Sequence, residues 1–223
     1  PCTVCASPDQ IKNSMPQSAS DLVLIEKQTL SHYENNAEGF WAGTKDHDVS
    51  QNRSAFLAPF PAGQKLDILD FGCGPGRDLH YFHSLGHRAI GLDGCENFCR
   101  MAHEYTGCTV LHQQFLHLDL LPDSFDGIFA NASLFHVPGS KLPRVLKQLH
   151  AALRNNGVMF TSNPRGNSEG WSGERYGCWM EFETSKTFLE QAGFTILDHY
   201  YRPAGLPHNQ QPWLAIVSQK RIV

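Results

Sequence analysis

The sequence has no long apolar run and no block of lysine or arginine. Charged residues make up 18% of its 223 residues, and the formal net charge is −4. No apolar stretch approaches the ~20 residues of a membrane-spanning helix, and the first residues lack the charged and apolar regions of a signal peptide. Without a basic patch there is no electrostatic footprint for a phosphate backbone. We therefore expect a soluble, cytoplasmic protein that binds neither nucleic acid nor a membrane.

Cysteines with metal-ligand spacing are also scarce. Seven are present, but only Cys2 and Cys5 form a C-x-x-C pair. A structural zinc site usually requires a second such pair, and Cys95 and Cys99 are spaced differently. We predict no metal site and free thiols in a reducing compartment.

Two acidic strand ends and a cluster of glycines are the most informative features present. The apolar run Leu66–Phe71 contains Asp70 and leads into Gly72, Gly74 and Gly76. A second run begins at Arg88 and ends at Asp93. Glycine allows left-handed backbone angles and close approach to a ligand, so these segments predict a nucleoside-binding α/β domain.

Predicted strands and helices alternate along the chain. Helical spacing marks residues 21–33, 76–85, 96–105, 142–153 and 185–192, and apolar runs mark strands at 109–111, 125–130, 158–162, 194–201 and 213–219. Such alternation predicts a doubly wound, mainly parallel sheet. We interpret residues 1–20 as a tail or linker and 21–223 as one domain, with an N-terminal helical lid at about 21–60.

The glycine order identifies the family that the chain resembles. A dinucleotide fingerprint would place its third glycine at position 77, which is Arg77. The pattern Asp70-x-Gly72-x-Gly74-x-Gly76 instead resembles motif I of the class I S-adenosylmethionine-dependent methyltransferases, and the resemblance spans about 66–217. It implies a Rossmann-like seven-stranded sheet with an antiparallel last strand, S-adenosyl-L-methionine as cofactor and S-adenosyl-L-homocysteine as product.

The resemblance also implies a cofactor site. Asp93 matches the acid that binds the ribose hydroxyls, and Asp70 fixes the loop or reaches the ammonium group. Family members commonly carry an acid after strand three that bonds the adenine amino group; here Gln114 stands there, beside Phe115. The side chains and loop positions predicted to contact the cofactor are Asp70, Gly72, Cys73, Gly74, Asp93, Gly94, Gln114, Phe115, Asn131 and Trp41.

His136 is the candidate catalytic residue. It follows strand four in Asn131–Pro138, which resembles the family segment that faces the methyl acceptor. An imidazole titrating near neutrality can take a proton from the acceptor, although packing against the cofactor is an equal alternative.

Aromatic and arginine side chains in four segments form the predicted acceptor pocket. They are Tyr33, His47, Arg165, Arg175, Tyr176, Tyr201 and Arg202. Trp171, Arg175 and Tyr176 are expected in a mobile glycine-rich loop, and the arginines suit a flat or carboxylate-bearing molecule.

These features predict methyl transfer to oxygen, nitrogen or sulfur of a small molecule, by a monomer or homodimer. The chain has no Asn-Pro-Pro-Tyr element and no Pro-Cys nucleophile of the nucleic-acid enzymes. Methylation of a protein or peptide side chain is the alternative within the fold. A non-catalytic cofactor-binding subunit is the alternative outside enzymes, because fold does not fix function.

Overall fold

A seven-stranded sheet forms the centre of the computed structural model, which describes residues 18–221. The strand order is β3-β2-β1-β4-β5-β9-β8, and only β9 runs against its neighbours. The predicted mainly parallel sheet with an antiparallel last strand is confirmed. Its strands are β1 Asp67–Phe71, β2 Arg88–Asp93, β3 Val110–His112, β4 Phe125–Asn131, β5 Leu153–Pro164, β8 Phe194–Arg202 and β9 Trp213–Lys220.

Seven helices and one hairpin complete the described part of the chain. The hairpin joins β6 Ser168–Ser172 to β7 Arg175–Trp179, and short 3-10 turns lie at Leu134–His136 and His208–Gln210. The helices are α1 Ala19–Asn35, α2 Ala37–Thr44, α3 Ser50–Leu57, α4 Arg77–Ser84, α5 Glu96–Thr106, α6 Leu142–Ala152 and α7 Phe182–Gln191.

The alternation of side chains along the strands builds one core on each face of the sheet. In β4, Ile128 packs with the α6 side, whereas Phe129 packs with the α4 side. Successive strand side chains point to opposite faces, so a strand covered on both sides is apolar throughout. On the α4 side, Phe56, Phe82 and Phe160 surround Phe129 with ring centroids 4.9–5.3 Å away.

Two helices that begin near the carboxyl ends of the strands have identifiable start signals, one local and one from a neighbouring helix. α6 carries Pro143 in its first turn, where a missing N–H costs nothing, and buries Val145, Leu146 and Leu149 on one face. The start of α5 is capped from another helix, because the Glu34 carboxylate on α1 accepts hydrogen bonds from the backbone N–H groups of residues 96 and 97. That contact anchors α1 over the sheet.

The N-terminal region and the hairpin differ from the sequence-based expectations. α1 begins at Ala19, because Ser18 and Asp21 form a reciprocal capping box, so the helix starts inside the predicted tail. Residues 171–176 form the turn and flanking strands of a hairpin, not a loop, because β6 and β7 exchange ladder hydrogen bonds. Cys2 and Cys5 lie outside the described residues.

Candidate active site

A cavity of about 870 Å³ opens at the carboxyl ends of β1, β2 and β4. This is the edge where open α/β sheets bind ligands. α1 and α2 cover it, and most of its accessible lining is apolar. The predicted site residues among its lining are Tyr33, Trp41, His47, Gly72, Cys73, Gly74, Asp93, Gly94, Gln114, Phe115, Asn131, His136, Arg175 and Arg202.

The glycine loop after β1 forms the floor of this cavity. The N–H groups of Gly72 and Cys73 both donate to the Leu92 carbonyl, at 2.7 and 3.0 Å. Gly72 has φ +74°, and a Cβ there would lie 2.3 Å from the Ser133 Cβ. Any larger residue at position 72 would therefore displace the segment after β4.

Asp93 lies at the end of β2, where backbone groups hold its carboxylate. Its two oxygens accept hydrogen bonds of 2.9 Å from the Gly74 and Cys95 N–H groups. Burial nevertheless raises the pKa of Asp93 to about 6, because these bonds offset only part of the desolvation. Each carboxylate oxygen can accept further bonds, so Asp93 can receive a pair of hydroxyl donors from the cavity.

Asp70 is buried beneath the loop and does not line the cavity. Burial and the nearby Asp78 carboxylate raise its pKa well above the ordinary value, and the Leu79 N–H at the start of α4 opposes that rise. Of its two predicted roles, this placement favours fixing the loop to the helix. Asp78, which the sequence did not single out, does line the cavity and pairs with Arg53 and Arg77 at 2.7 Å.

The other residues predicted to contact the cofactor differ in whether their polar groups already have hydrogen-bond partners. The Asn131 amide is engaged by Asn52 at 2.9 Å and by Asp78 at 3.4 Å. Phe115 stacks on Phe71 with centroids 4.4 Å apart, and Gln114 is exposed at the cavity edge. Cys73 is buried, which raises its thiol pKa well above the ordinary value and leaves it unreactive.

A directed hydrogen-bond chain links cavity-lining side chains from α1, from the 3-10 turn after β4 and from β7. His136 Nδ1 lies 2.7 Å from the Tyr176 carbonyl oxygen, so Nδ1 carries the proton and Nε2 accepts from the Tyr33 hydroxyl at 2.8 Å. Arg175 Nη1 donates to the same hydroxyl oxygen at 3.4 Å. The imidazole is therefore fixed as one neutral tautomer behind Tyr33.

The expectation that His136 titrates near neutrality is wrong. Burial lowers its pKa to about 4, and the charges of Arg175 and His32 act in the same direction. The Tyr176 carbonyl, which favours the protonated ring, opposes that fall only in part. Burial also raises the pKa of Tyr33, with Arg175 opposing. Both groups are neutral at pH 7.

Three side chains predicted to bind the acceptor do not line the cavity, namely Arg165, Tyr176 and Tyr201. Arg165 lies between His208, Tyr201 and Glu181. The Tyr176 hydroxyl donates to Glu169 at 3.0 Å, and only its backbone contacts the His136 chain. Packing holds these three side chains outside the cavity lining. Their geometry therefore does not support contact with an acceptor.

Several lining residues carried no sequence signal of their own. Glu26, Thr29 and Leu30 precede Tyr33 on the face of α1 that meets the cavity, and helical spacing from Tyr33 would have indicated them. Ser162 comes from β5, whose pairing with β9 brings residues 163 and 214 together. No local pattern in the chain indicates that pairing.

Within residues 18–221 no His, Cys, Asp and Glu side chains gather in a group that could hold a metal ion. Asp48, next to His47 in the chain, lies in the exposed turn before α3, where its carboxylate accepts from the Ser50 N–H at 2.9 Å.

Among residues 18–221, no helix is long and apolar enough to cross a membrane.

Comparisons with known proteins agree with this architecture. Residues 68–157 match a family model described as a methyltransferase domain. A sterol 24-C-methyltransferase of Candida albicans is 23% identical over 128 residues, which cover 53% of this chain but only 34% of that relative. The chain thus matches about a third of that curated relative's length.

Two solved structures share the fold. The 1,6-didemethyltoxoflavin-N1-methyltransferase of Burkholderia thailandensis, solved with 1,6-didemethyltoxoflavin and S-adenosylhomocysteine bound, has a TM-score of 0.73 at 21% identity, covering 94% of this chain and 93% of that one. The [4+2]-cyclase SpnF has a TM-score of 0.67 at 14% identity, covering 89% and 97%. One fold therefore carries differently named activities.

The loop sequence, the sheet order and the family match define one class. Residues 68–157 match the methyltransferase-domain model, so the predicted resemblance to the class I S-adenosylmethionine-dependent methyltransferases is confirmed, and with it the predicted cofactor. The residues present fit that cofactor: a carboxylate at the end of β2 suits the ribose hydroxyls, and Phe115 offers an apolar face to the base. The loop of Gly72 and Gly74 would hold the methionine end of the cofactor.

Proposed function

We propose that this protein transfers a methyl group from S-adenosylmethionine to a nitrogen or oxygen of a small, flat molecule. The bound cofactor supplies a methyl group on a positively charged sulfur, which is a good leaving group. The chain's own contribution is to align the acceptor with that methyl group and exclude water, which supplies much of the acceleration.

The observation that carries this proposal is the chain Arg175 to Tyr33 to His136. In it, Tyr33 donates to His136 and His136 donates to the Tyr176 carbonyl, so the hydroxyl hydrogen of Tyr33 points toward His136, while Arg175 occupies one lone pair of the Tyr33 oxygen. Tyr33 therefore presents an oxygen lone pair to the cavity. An acceptor with an N–H or O–H group can donate to that lone pair and be held in position.

The same chain can remove the acceptor's proton. As the new carbon–nitrogen or carbon–oxygen bond forms, the acceptor becomes positively charged and strongly acidic. Its proton passes to the Tyr33 oxygen while the Tyr33 proton passes to His136 Nε2, so the phenol stays neutral and the ring becomes imidazolium. A base whose pKa is about 4 suffices for so acidic a donor, and it returns the proton to water readily.

The size and lining of the cavity favour a small aromatic acceptor. Its volume of about 870 Å³ is within the range of about 300–1,000 Å³ typical of small-molecule sites. Phe40, Phe135 and Trp213 supply flat apolar surface around the polar chain. The 1,6-didemethyltoxoflavin-N1-methyltransferase shares this fold and was solved with 1,6-didemethyltoxoflavin bound, which supports a small-molecule acceptor here.

The proposal is tested in two stages. Calorimetry with S-adenosylmethionine, S-adenosylhomocysteine and NAD should show binding of the first two alone. Transfer of labelled methyl is then measured to planar N–H heterocycles and phenols, with aliphatic amines and short peptides as the comparison. Turnover confined to the planar acceptors supports the proposal, and turnover confined to peptides contradicts it.

A further inference from the structure

Glu26 on α1 is a cavity carboxylate to which neither the proposed reaction nor the family match assigns a role. It lines the cavity beside Gln114, Phe115 and Leu116, the segment that follows β3. Its side chain is 15% exposed, and its Oε2 lies 3.4 Å from His117 Nε2. Its Oε1 is buried and has no hydrogen-bond partner among the described residues.

An unpartnered buried carboxylate oxygen is unfavourable unless a ligand supplies a donor. Burial raises the pKa of Glu26, whereas His117, the Leu116 backbone N–H and Arg144 lower it. Among residues 18–221, Asp70 has the other buried carboxylate oxygen without a partner, and Asp70 lies outside the cavity. Among the cavity-lining carboxylates of the described residues, Glu26 is therefore the one with a buried oxygen that lacks a hydrogen-bond partner.

The course of α1 places the Glu26 side chain at one particular end of the cavity, beside the segment that follows β3. Glu34 caps α5, which follows β2, and Leu30 packs on Gly94, where a Cβ would lie 2.9 Å from its Cδ2. Glu26 lies about two turns before Glu34 and reaches the segment after β3. α1 thus passes from the end of β2, where Asp93 can hold a ribose, to the end of β3, where the attached base must extend.

We propose that Glu26 accepts a hydrogen bond from the exocyclic amino group of the cofactor's adenine. The proposal rests on the proposed function only in its choice of cofactor. The acid expected after β3 is Gln114 in this chain, and Gln114 is exposed at the cavity edge. The lid helix α1 supplies a carboxylate beside the same segment. A carboxylate accepts from an amino group but repels the carbonyl oxygen of hypoxanthine, so Glu26 gives the site selectivity for adenine.

The test compares S-adenosylhomocysteine with its inosine analogue, in which a carbonyl replaces the amino group. Binding is measured by calorimetry for the wild-type protein, Glu26→Gln and Gln114→Ala. Glu38→Gln, an exposed carboxylate on the neighbouring helix α2, is the matched control. We expect the wild-type protein, Glu38→Gln and Gln114→Ala to prefer S-adenosylhomocysteine by about 30-fold, and Glu26→Gln to reduce that preference to within about 3-fold.

The outcomes separate this proposal from the cofactor assignment. If the wild-type protein binds neither nucleoside, the proposed function fails. If it binds S-adenosylhomocysteine and Glu26→Gln leaves both affinity and preference unchanged, the role of Glu26 is overturned. A change confined to the acceptor's KM would also overturn it, because Oε1 would then serve the acceptor. Should Glu26→Gln not fold, Glu26→Asp, whose reach is shorter, decides by the same loss of preference.

Discussion

The floor and the wall of the cavity are held by different kinds of interaction. The floor consists of the loop after β1 and the end of β2, where backbone groups of residues 72–74 bond to Leu92 and Asp93. The wall of the cavity is formed by α1, α2, the turn Leu134–His136 and the β6–β7 hairpin. There, side chains from separate elements meet, as in the contact between Tyr33 and His136.

This difference indicates where the structure constrains chemistry most tightly. A floor built from backbone hydrogen bonds keeps its geometry when side chains change, so it suits a constant cofactor. A wall built from side-chain contacts can be altered residue by residue, so it suits recognition of a particular acceptor. Substitutions in the floor should change cofactor affinity, and substitutions in the wall should change turnover.

Asp93→Ala tests the floor and has the largest expected effect. The substitution removes a carboxylate placed to accept two hydroxyl donors, and bonds to a charged group contribute about 1.5–3 kcal/mol each. We expect the affinity for S-adenosylhomocysteine to fall by about 100-fold or more, measured by calorimetry. Asp198→Ala, which removes an exposed carboxylate on β8, is the control and should bind normally. Unchanged affinity in Asp93→Ala would exclude a ribose contact.

Tyr33→Phe tests the wall. It keeps the ring packing with Phe40 and Phe98 but removes the hydroxyl between the cavity and His136. We expect kcat to fall by about 100-fold, the lower end of the usual range for a proton-transfer group, with cofactor affinity within about 3-fold. Tyr81→Phe on α4, outside the cavity lining, is the matched control. Equal losses in kcat and in cofactor affinity would mean that Tyr33 helps to bind the cofactor instead.

His136→Gln tests the wall through stability and pH. The folded pKa of about 4 lies below the ordinary 6.5, so the unfolded chain binds the proton first as the pH falls. Stability is therefore lost between pH 6.5 and 4, by up to about 3 kcal/mol from this group. Urea unfolding at pH 7.5 and 4.5 should show a smaller loss in His136→Gln than in the wild-type protein. An identical loss in both would mean that the ring is not buried in the neutral form.

Arg165→Ala has the smallest expected effect, because Arg165 lies outside the cavity lining. Its guanidinium contacts His208 and the Tyr201 ring and does not line the cavity. We expect the acceptor's KM and kcat to stay within about 2-fold, whereas Arg175→Ala, which loses a contact to Tyr33, should lower kcat several-fold. A large rise in KM for Arg165→Ala alone would mean that the acceptor extends beyond this cavity.

The sequence predicted the floor well because its information is local. Gly72, Gly74 and Asp93 each follow an apolar strand within a few residues, and parallel strands bring their carboxyl ends to one edge. The seven-stranded sheet followed from the same alternation of strands and helices. The start of α1 was missed by two residues, because the capping box at Ser18 lies within a segment otherwise typical of a tail.

The wall was predicted less well because its members are distant in sequence. The sequence indicated Tyr33, His136 and Arg175, but not that the Tyr33 hydroxyl donates to His136, or that burial lowers the imidazole pKa to about 4. Glycines in residues 166–177 suggested a loop, whereas cross-strand bonds formed a hairpin that carries Arg175 to the cavity.

By itself, the sequence determined the class of fold, the glycine loop and the acid that ends β2, because strand periodicity and glycine geometry act over a few residues. Only the tertiary structure decided which side chains meet above that floor. The neutral tautomer of His136, the position of Glu26 beside the segment after β3 and the placement of Arg165 outside the cavity all depend on packing between elements remote in the chain. Burial and hydrogen-bond direction arise from that packing, and no local pattern encodes them.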